Sequence, residues 1–294
     1  VAPVTSDIDF LGLTRGADPG SFRFEVAEHL SRMDARLYGG AAIAVSIAAA
    51  EEVSERSALW MTTQFVSTAP TGATVDVTAE ILAPGRRTNQ IRVTGTTADG
   101  DTVFASLGAT GHHRADGLTG EFENCPQVEA PDAAAESWES PMAALARKAG
   151  FEASPFPRDT GFARVVEMRG ARIIEHPDPG PGRVCVWVRR RDGAPITPAL
   201  AAFVADMVPM SVAHAMGVFA GGTSLDNTIR IGTFVDSEWV LLDLRPHAAV
   251  GDYGHGTAHV WSADGHLMAV ASQTASMRHI DPAMMAAWGK PAGG

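Results

Sequence analysis

The sequence predicts an α+β protein built as two similar modules, each a long buried helix wrapped by a curved antiparallel sheet. Three observations predict it. Two stretches, Leu37–Ala50 and Thr197–Phe219, are almost wholly apolar and rich in helix formers, the pattern of helices buried all round. Each is followed by short runs of strand character divided by turn signals. Finally, an Ala-Asp-Gly turn occurs twice, at Ala98–Gly100 and Ala263–Gly265, a spacing of 165 residues from Ala98 to Ala263. The flanks also correspond, Thr97–Gly108 against Ser262–Gln273, so the spacing implies an internal duplication.

In order, residues 21–28 alternate apolar and polar and predict a half-buried strand. The first long helix opens on Gly39-Gly40, which permits close approach of another backbone and leaves first-turn N–H groups open to an acceptor. Strands follow over Ala58–Ser67, Thr74–Leu82, Thr88–Thr97 and Thr102–Thr110. From His112 to about Pro157 the composition shifts to Pro, Ala, Glu and Asp, with one helical patch near Met142–Lys148. A connection this long is expected to drape over both halves. The pattern then repeats: strands at Phe162–Arg169 and Gly182–Arg190, the helix over Thr197–Phe219, and strands near Ser224–Gly232, Glu238–Leu244, Thr257–Trp261 and Leu267–Ser276. The expected division is an N-terminal module over 1–114, a linker over 115–157, a C-terminal module over 158–282 and a tail over 283–294.

Composition excludes several classes. With a net charge of −11, the chain has no surplus of basic residues to neutralise phosphates, so nucleic acid is not an expected partner. Two cysteines, Cys125 and Cys185, sit outside any metal or redox motif and point to a reduced, cytoplasmic protein. Residues 1–7 carry neither the basic nor the apolar run of a secretion signal. The Ala-rich helices are too weakly hydrophobic to be expected as membrane spans. His255 and His259 are i,i+4 on a strand, which does not converge them on a metal, and no phosphate-binding glycine loop occurs. Neither metal nor cofactor is expected. Arg189-Arg190-Arg191 reads as a solvated strand end.

Chemistry points to one residue. Asp206 is the only acid in the second apolar helix, and an ionised carboxylate is costly to bury without partners. The first helix has no acid between Leu37 and Ala50, and Gln273 aligns with Gly108 on the two hairpins. Differences between duplicated halves mark what only one half does. Asp206, Gln273 and either Ser224 or the nearby Thr223, at the start of the strand after the helix, supply a carboxylate, an amide and a hydroxyl. That set suits a general base holding a water. A carbonyl oxygen could then rest on N–H groups at the N-terminus of the first helix, with Gly40 the leading donor and Gly39 beside it.

Ser224-Leu-Asp226, Ser237-Glu-Trp239-Val-Leu-Leu242, Asp264-Gly265 and Ala271-Ser-Gln273 resemble the acyl-CoA thioesterase II family, whose members are double (tandem) hot-dog proteins. The Gly39-Gly40 pair is similar to the family's Gly-Gly at the first helix. The resemblance implies an acyl-CoA substrate and a water-activating triad that falls on Asp206, Ser224 and Gln273. It also departs from the family, which has His where this chain has Asn227 and an aromatic-rich run where this chain has Thr228–Thr233. Two alternatives stand beside hydrolysis: a non-catalytic acyl-CoA-binding scaffold, and a hot-dog enoyl-CoA hydratase, although no Asp is followed closely by Asn-Pro and His. Sheet edges of this architecture commonly pair between chains, so a homo-oligomer is expected.

Overall fold

The computed structural model describes residues 6–134, 141–151, 160–174 and 180–280. The expected tail, and residues 152–157 at the end of the expected linker, lie outside them. In chain order the elements are α1 (Asp7–Leu11), β1 (Thr14–Arg15), β2 (Ser21–Glu25), α2 (Gly39–Ser54), β3 (Ser57–Phe65), β4 (Thr74–Ala83), β5 (Thr88–Thr97), β6 (Thr102–Gly111) and α3 (Pro141–Lys148). There follow β7 (Val166–Ala171), β8 (Val184–Arg190), α4 (Pro198–Ala205), α5 (Val208–Met216), β9 (Ala220–Ile231), β10 (Val240–Val250), β11 (Tyr253–Ser262) and β12 (Leu267–His279).

All twelve strands form one sheet in the order β1-β2-β4-β5-β6-β3-β9-β12-β11-β10-β8-β7. The first six belong to the first half of the chain and the last six to the second. The halves join where β3 pairs antiparallel with β9, from Trp60 opposite Arg230 to Gln64 opposite Asp226. Midway, the Thr62 and Thr228 hydroxyls bond each other at 2.9 Å. Each half thereby covers the strand edge that the other would expose.

Helix α2 fills the concave side of the first half. Ala41 to Ala50 are buried without exception, and their small side chains let strands and the neighbouring helix α4 approach closely. The second half departs from expectation. Thr197–Phe219 is not one helix but two, α4 and α5, broken at Asp206 (φ −78°, ψ 44°) and Met207 (φ −122°, ψ 9°). Pro209 is the physical reason: it has no N–H to donate to Ala205, and its ring clashes with the carbonyl four residues back, so it is tolerated only in the first turn of a new helix. By length and composition Pro198–Met216 could cross a membrane, yet its residues are mostly buried inside this fold.

Other differences are local. Phe162 was expected in a strand but lies in a 3-10 turn, Gly161–Arg164, where its ring stacks on Tyr38 with centroids 4.2 Å apart. β10 runs past its expected end at Leu244 to Val250, accommodating Pro246 with a register shift. Its hairpin to β11 turns through Gly251 (φ 55°) and Asp252 (φ 67°), the two left-handed residues a tight hairpin requires. The connection between halves was expected to drape over both. Its first residue bonds the first half, His112 N–H donating to Arg87 O at 3.3 Å, and further contacts run to the second half. Glu129 O accepts from Trp187 Nε1 at 2.7 Å, the Glu121 carboxylate accepts from Leu267 N–H at 2.9 Å, and α3 packs on α5. Of the arginine run, Arg189 pairs with Glu167 at 2.7 Å and lies over the Trp239 ring, while Arg190 is buried.

Candidate active site

The break between α4 and α5 is where the sequence-predicted residues meet. Asp206 caps the end of α4, and its carboxylate turns across to the start of α2. The groups freed by the break find partners in the surrounding elements. Asp206 backbone O accepts from Tyr38 Oη at 3.2 Å, and Val208 N–H donates to Gln273 Oε1 at 3.2 Å. A buried helix end lacking such partners would lose about 1–3 kcal/mol for each orphaned group.

Three side chains donate to Asp206 Oδ1. Asn227 Nδ2 does so at 3.1 Å, Ser224 Oγ at 3.4 Å, and Gln273 Nε2 in a close contact. Gln273 Nε2 also reaches Ser224 Oγ at 2.6 Å, so the amide orients the hydroxyl. β9 and β12 bring these groups into line, because Gln273 and Asn227 are direct register partners. Asp206, Asn227 and Gln273 are 6%, 1% and 2% exposed, whereas Ser224 and Gly39 are half-buried. The more exposed of the groups around the carboxylate are therefore Ser224 and Gly39.

The two glycines do different things. A Cβ on Gly39 would sit 2.6 Å from Asp206 Oδ2, so glycine is what lets the carboxylate lie against the start of α2. A Cβ on Gly40 would meet the Phe203 carbonyl at 2.2 Å; here glycine is what lets α2 and α4 touch. The Gly40 N–H, expected to be open to a carbonyl oxygen, lies near enough to the Asp206 carboxylate to favour its ionised form. The helix break places Asp206 at the α2 N-terminus, where anions are favoured.

Burial pushes the Asp206 carboxyl up to about 7, against an ordinary value of 3.8; the Asn227 amide, the Gly40 N–H, the Ser224 hydroxyl and the charge of Arg32 each pull it partly back. Desolvation wins because almost no water reaches the group. The result is an acid near half-ionised at neutral pH, the range that suits proton transfer. Tyr38 is held well above its usual range by burial and by the Asp206 charge, so it stays neutral. Among the described residues no cluster of three or more His, Cys, Asp or Glu could hold a metal ion.

Sequence reasoning named Asp206, Ser224, Gln273, Gly39 and Gly40, and the structure brings all five together. It read Asn227 only as a departure and did not foresee its bond to Asp206. The signal was a lone amide on the strand that carries Ser224, three residues further on.

Comparison with known proteins places this geometry. The acyl-CoA thioesterase N-terminal domain family matches residues 13–111, and the acyl-CoA thioesterase C-terminal domain family matches residues 123–277. The chain belongs to the acyl-CoA thioesterase family. It is 30% identical to a protein named as a candidate thioesterase from Novosphingobium aromaticivorans DSM 12444, over 90% of this chain and 97% of that one, with a TM-score of 0.76. A conserved protein of unknown function with a hot-dog fold from Alicyclobacillus acidocaldarius aligns at 19% identity over 95% of this chain and all of that one, TM-score 0.75. An acyl-CoA thioesterase II, TesB2, from Mycobacterium marinum aligns at 16% identity over 94% and 99% of the two chains, TM-score 0.71. No curated protein matches the chain. The last two structural likenesses carry the fold alone: a tandem hot-dog, as the resemblance implied.

Proposed function

We propose that this thioesterase-family protein hydrolyses fatty acyl-CoA to the free acid and CoA, with Asp206 as general base. The observation that carries the reading is the loading of the carboxylate. Oδ1 takes all three side-chain donors, while Oδ2 takes none of them and lies against Gly39 at the start of α2. A water on that side gives its proton to Oδ2 as its oxygen attacks the thioester carbon. Ser224 Oγ, held by Gln273, has a lone pair free to accept the water's second hydrogen and so aim it. The C–S bond then breaks, CoA leaves as the thiol after taking a proton, and the acyl group leaves as the acid.

Backbone donors at the start of α2, with Gly40 the leading one and the half-buried Gly39 beside it, are placed to receive the developing oxyanion. No step needs a metal or redox cofactor. The modular boundaries near residues 114 and 157, a cytoplasmic location and a homo-oligomeric state belong to the same reading and rest on the sequence alone.

The test is a panel of acyl-CoAs incubated with purified protein and a thiol reagent. Release of CoA thiol is the expected result. Loss of enoyl absorbance without thiol release would favour hydration instead, and binding without either would favour a scaffold.

A further inference from the structure

Asn227 is buried to 1% exposure, yet only one end of its amide is used. Nδ2 donates to Asp206 Oδ1 at 3.1 Å, while Oδ1 of the amide is buried with no hydrogen-bond partner. An unsatisfied buried acceptor is a cost that a packing role would avoid, since an apolar side chain of similar size fills the same space without it. The first half of the chain shows that alternative. β3 and β9 each carry one extra residue in their pairing, Leu59 between Ala58 and Trp60, and Leu225 between Ser224 and Asp226. Counting from those bulges, Met61 occupies in β3 the place Asn227 occupies in β9, and Met61 is fully buried.

We propose that Asn227 is a positioning residue for the reaction, which fixes the Asp206 carboxylate with Oδ2 toward the substrate side and keeps it ionisable. This inference rests on the reading of Asp206 as the base. The charged and titratable groups that bear on Asp206 are few among the described residues. The loop before α2 supplies Arg32 and Tyr38, whereas β9 and β12 supply only the neutral Ser224, Asn227 and Gln273. Asn227 is the strongest of the influences that favour the ionised form.

The experiment is the pH dependence of kcat/KM for acyl-CoA hydrolysis by the wild type, Asn227→Leu and Asn227→Ser, each checked for cooperative thermal unfolding. Leucine keeps the volume and removes the donor; serine, too short to reach Asp206, is carried alongside in case leucine does not fold. The expected result is a rising limb displaced upward by about one pH unit or more, the value of a hydrogen bond to a charged group. Activity is then largely recovered above the new midpoint. A limb that stays in place while activity falls equally at every pH overturns the inference and leaves the base assignment standing. A wild-type profile with no limb near neutrality overturns both.

Discussion

The two halves of this chain share a strand plan and a matched pair of bulges, but their equivalent interiors hold opposite chemistry. In the second half the positions around the bulge are Ser224 and Asn227, with Gln273 opposite Asn227 on the next strand. In the first half they are Ala58 and Met61, with Gly108 opposite Met61. A Cβ on Gly108 would lie 2.7 Å from the Met61 sulfur, so the thioether rests where the amide of Gln273 stands in the other half. One half is plugged with an apolar side chain and needs no partners. The other keeps a polar cluster that only a broken helix, and the N-terminus of α2 from the first half, can complete. The two copies of a duplicated scaffold have thus diverged in role. The first presents the helix end, and the second supplies the acid.

Converting the second half to the first should have the largest effect. Ser224→Ala, Asn227→Met and Gln273→Gly together strip every side-chain donor from Asp206 and leave it neutral at pH 7. Hydrolysis should fall by about two to four decades, the range of lost acid–base catalysis, while circular dichroism keeps the native spectrum. Retained turnover would mean that the comparison had picked the wrong residues.

The next effect is on stability. Asp206 ionises near 7 in the fold and near 3.8 in its ordinary state, so the folded chain holds its proton where the unfolded chain has lost it. Stability should decline as pH rises from about 4 through 7, by at most about 4 kcal/mol from this group. Below about pH 4 the group is neutral in both states and contributes no slope. Asp206→Asn removes the penalty, so its unfolding midpoint in urea should exceed the wild type's at pH 8 and approach it at pH 4. Parallel pH curves for the two proteins would show that Asp206 does not carry the shift.

A smaller effect is expected from Gly39→Ala. The new Cβ has no room beside Asp206 Oδ2 and should displace the carboxylate by a few tenths of an ångström to an ångström, costing up to about 10²-fold in kcat with little change in folding. Wild-type kcat in that variant would place the reactive oxygen elsewhere.

The duplication was legible because turn chemistry is local: Ala-Asp-Gly needs its glycine wherever it occurs, and both Gly100 and Gly265 have positive φ. Asp206 was legible for the converse reason, an acid standing out against an apolar helix. The break beside it was not, because α4 and α5 are both apolar and their joint pattern reads as one helix. Pro209 was the available signal. Gly39-Gly40 announced a close approach, yet the partners, the Asp206 carboxylate and the Phe203 carbonyl, come from the other half of the chain. Asn227 was hidden by register. Its pairing with Gln273 and its reach to Asp206 depend on how three distant elements align, and no local pattern records that.

The central claim is that Asp206 takes a proton from water, and the pH profile of kcat/KM for wild type and Asp206→Asn tests it most directly. The account predicts a wild-type rise through about pH 7 and, in the variant, activity at least about two decades lower with that rise gone. Wild-type turnover by a correctly folded Asp206→Asn protein would contradict it.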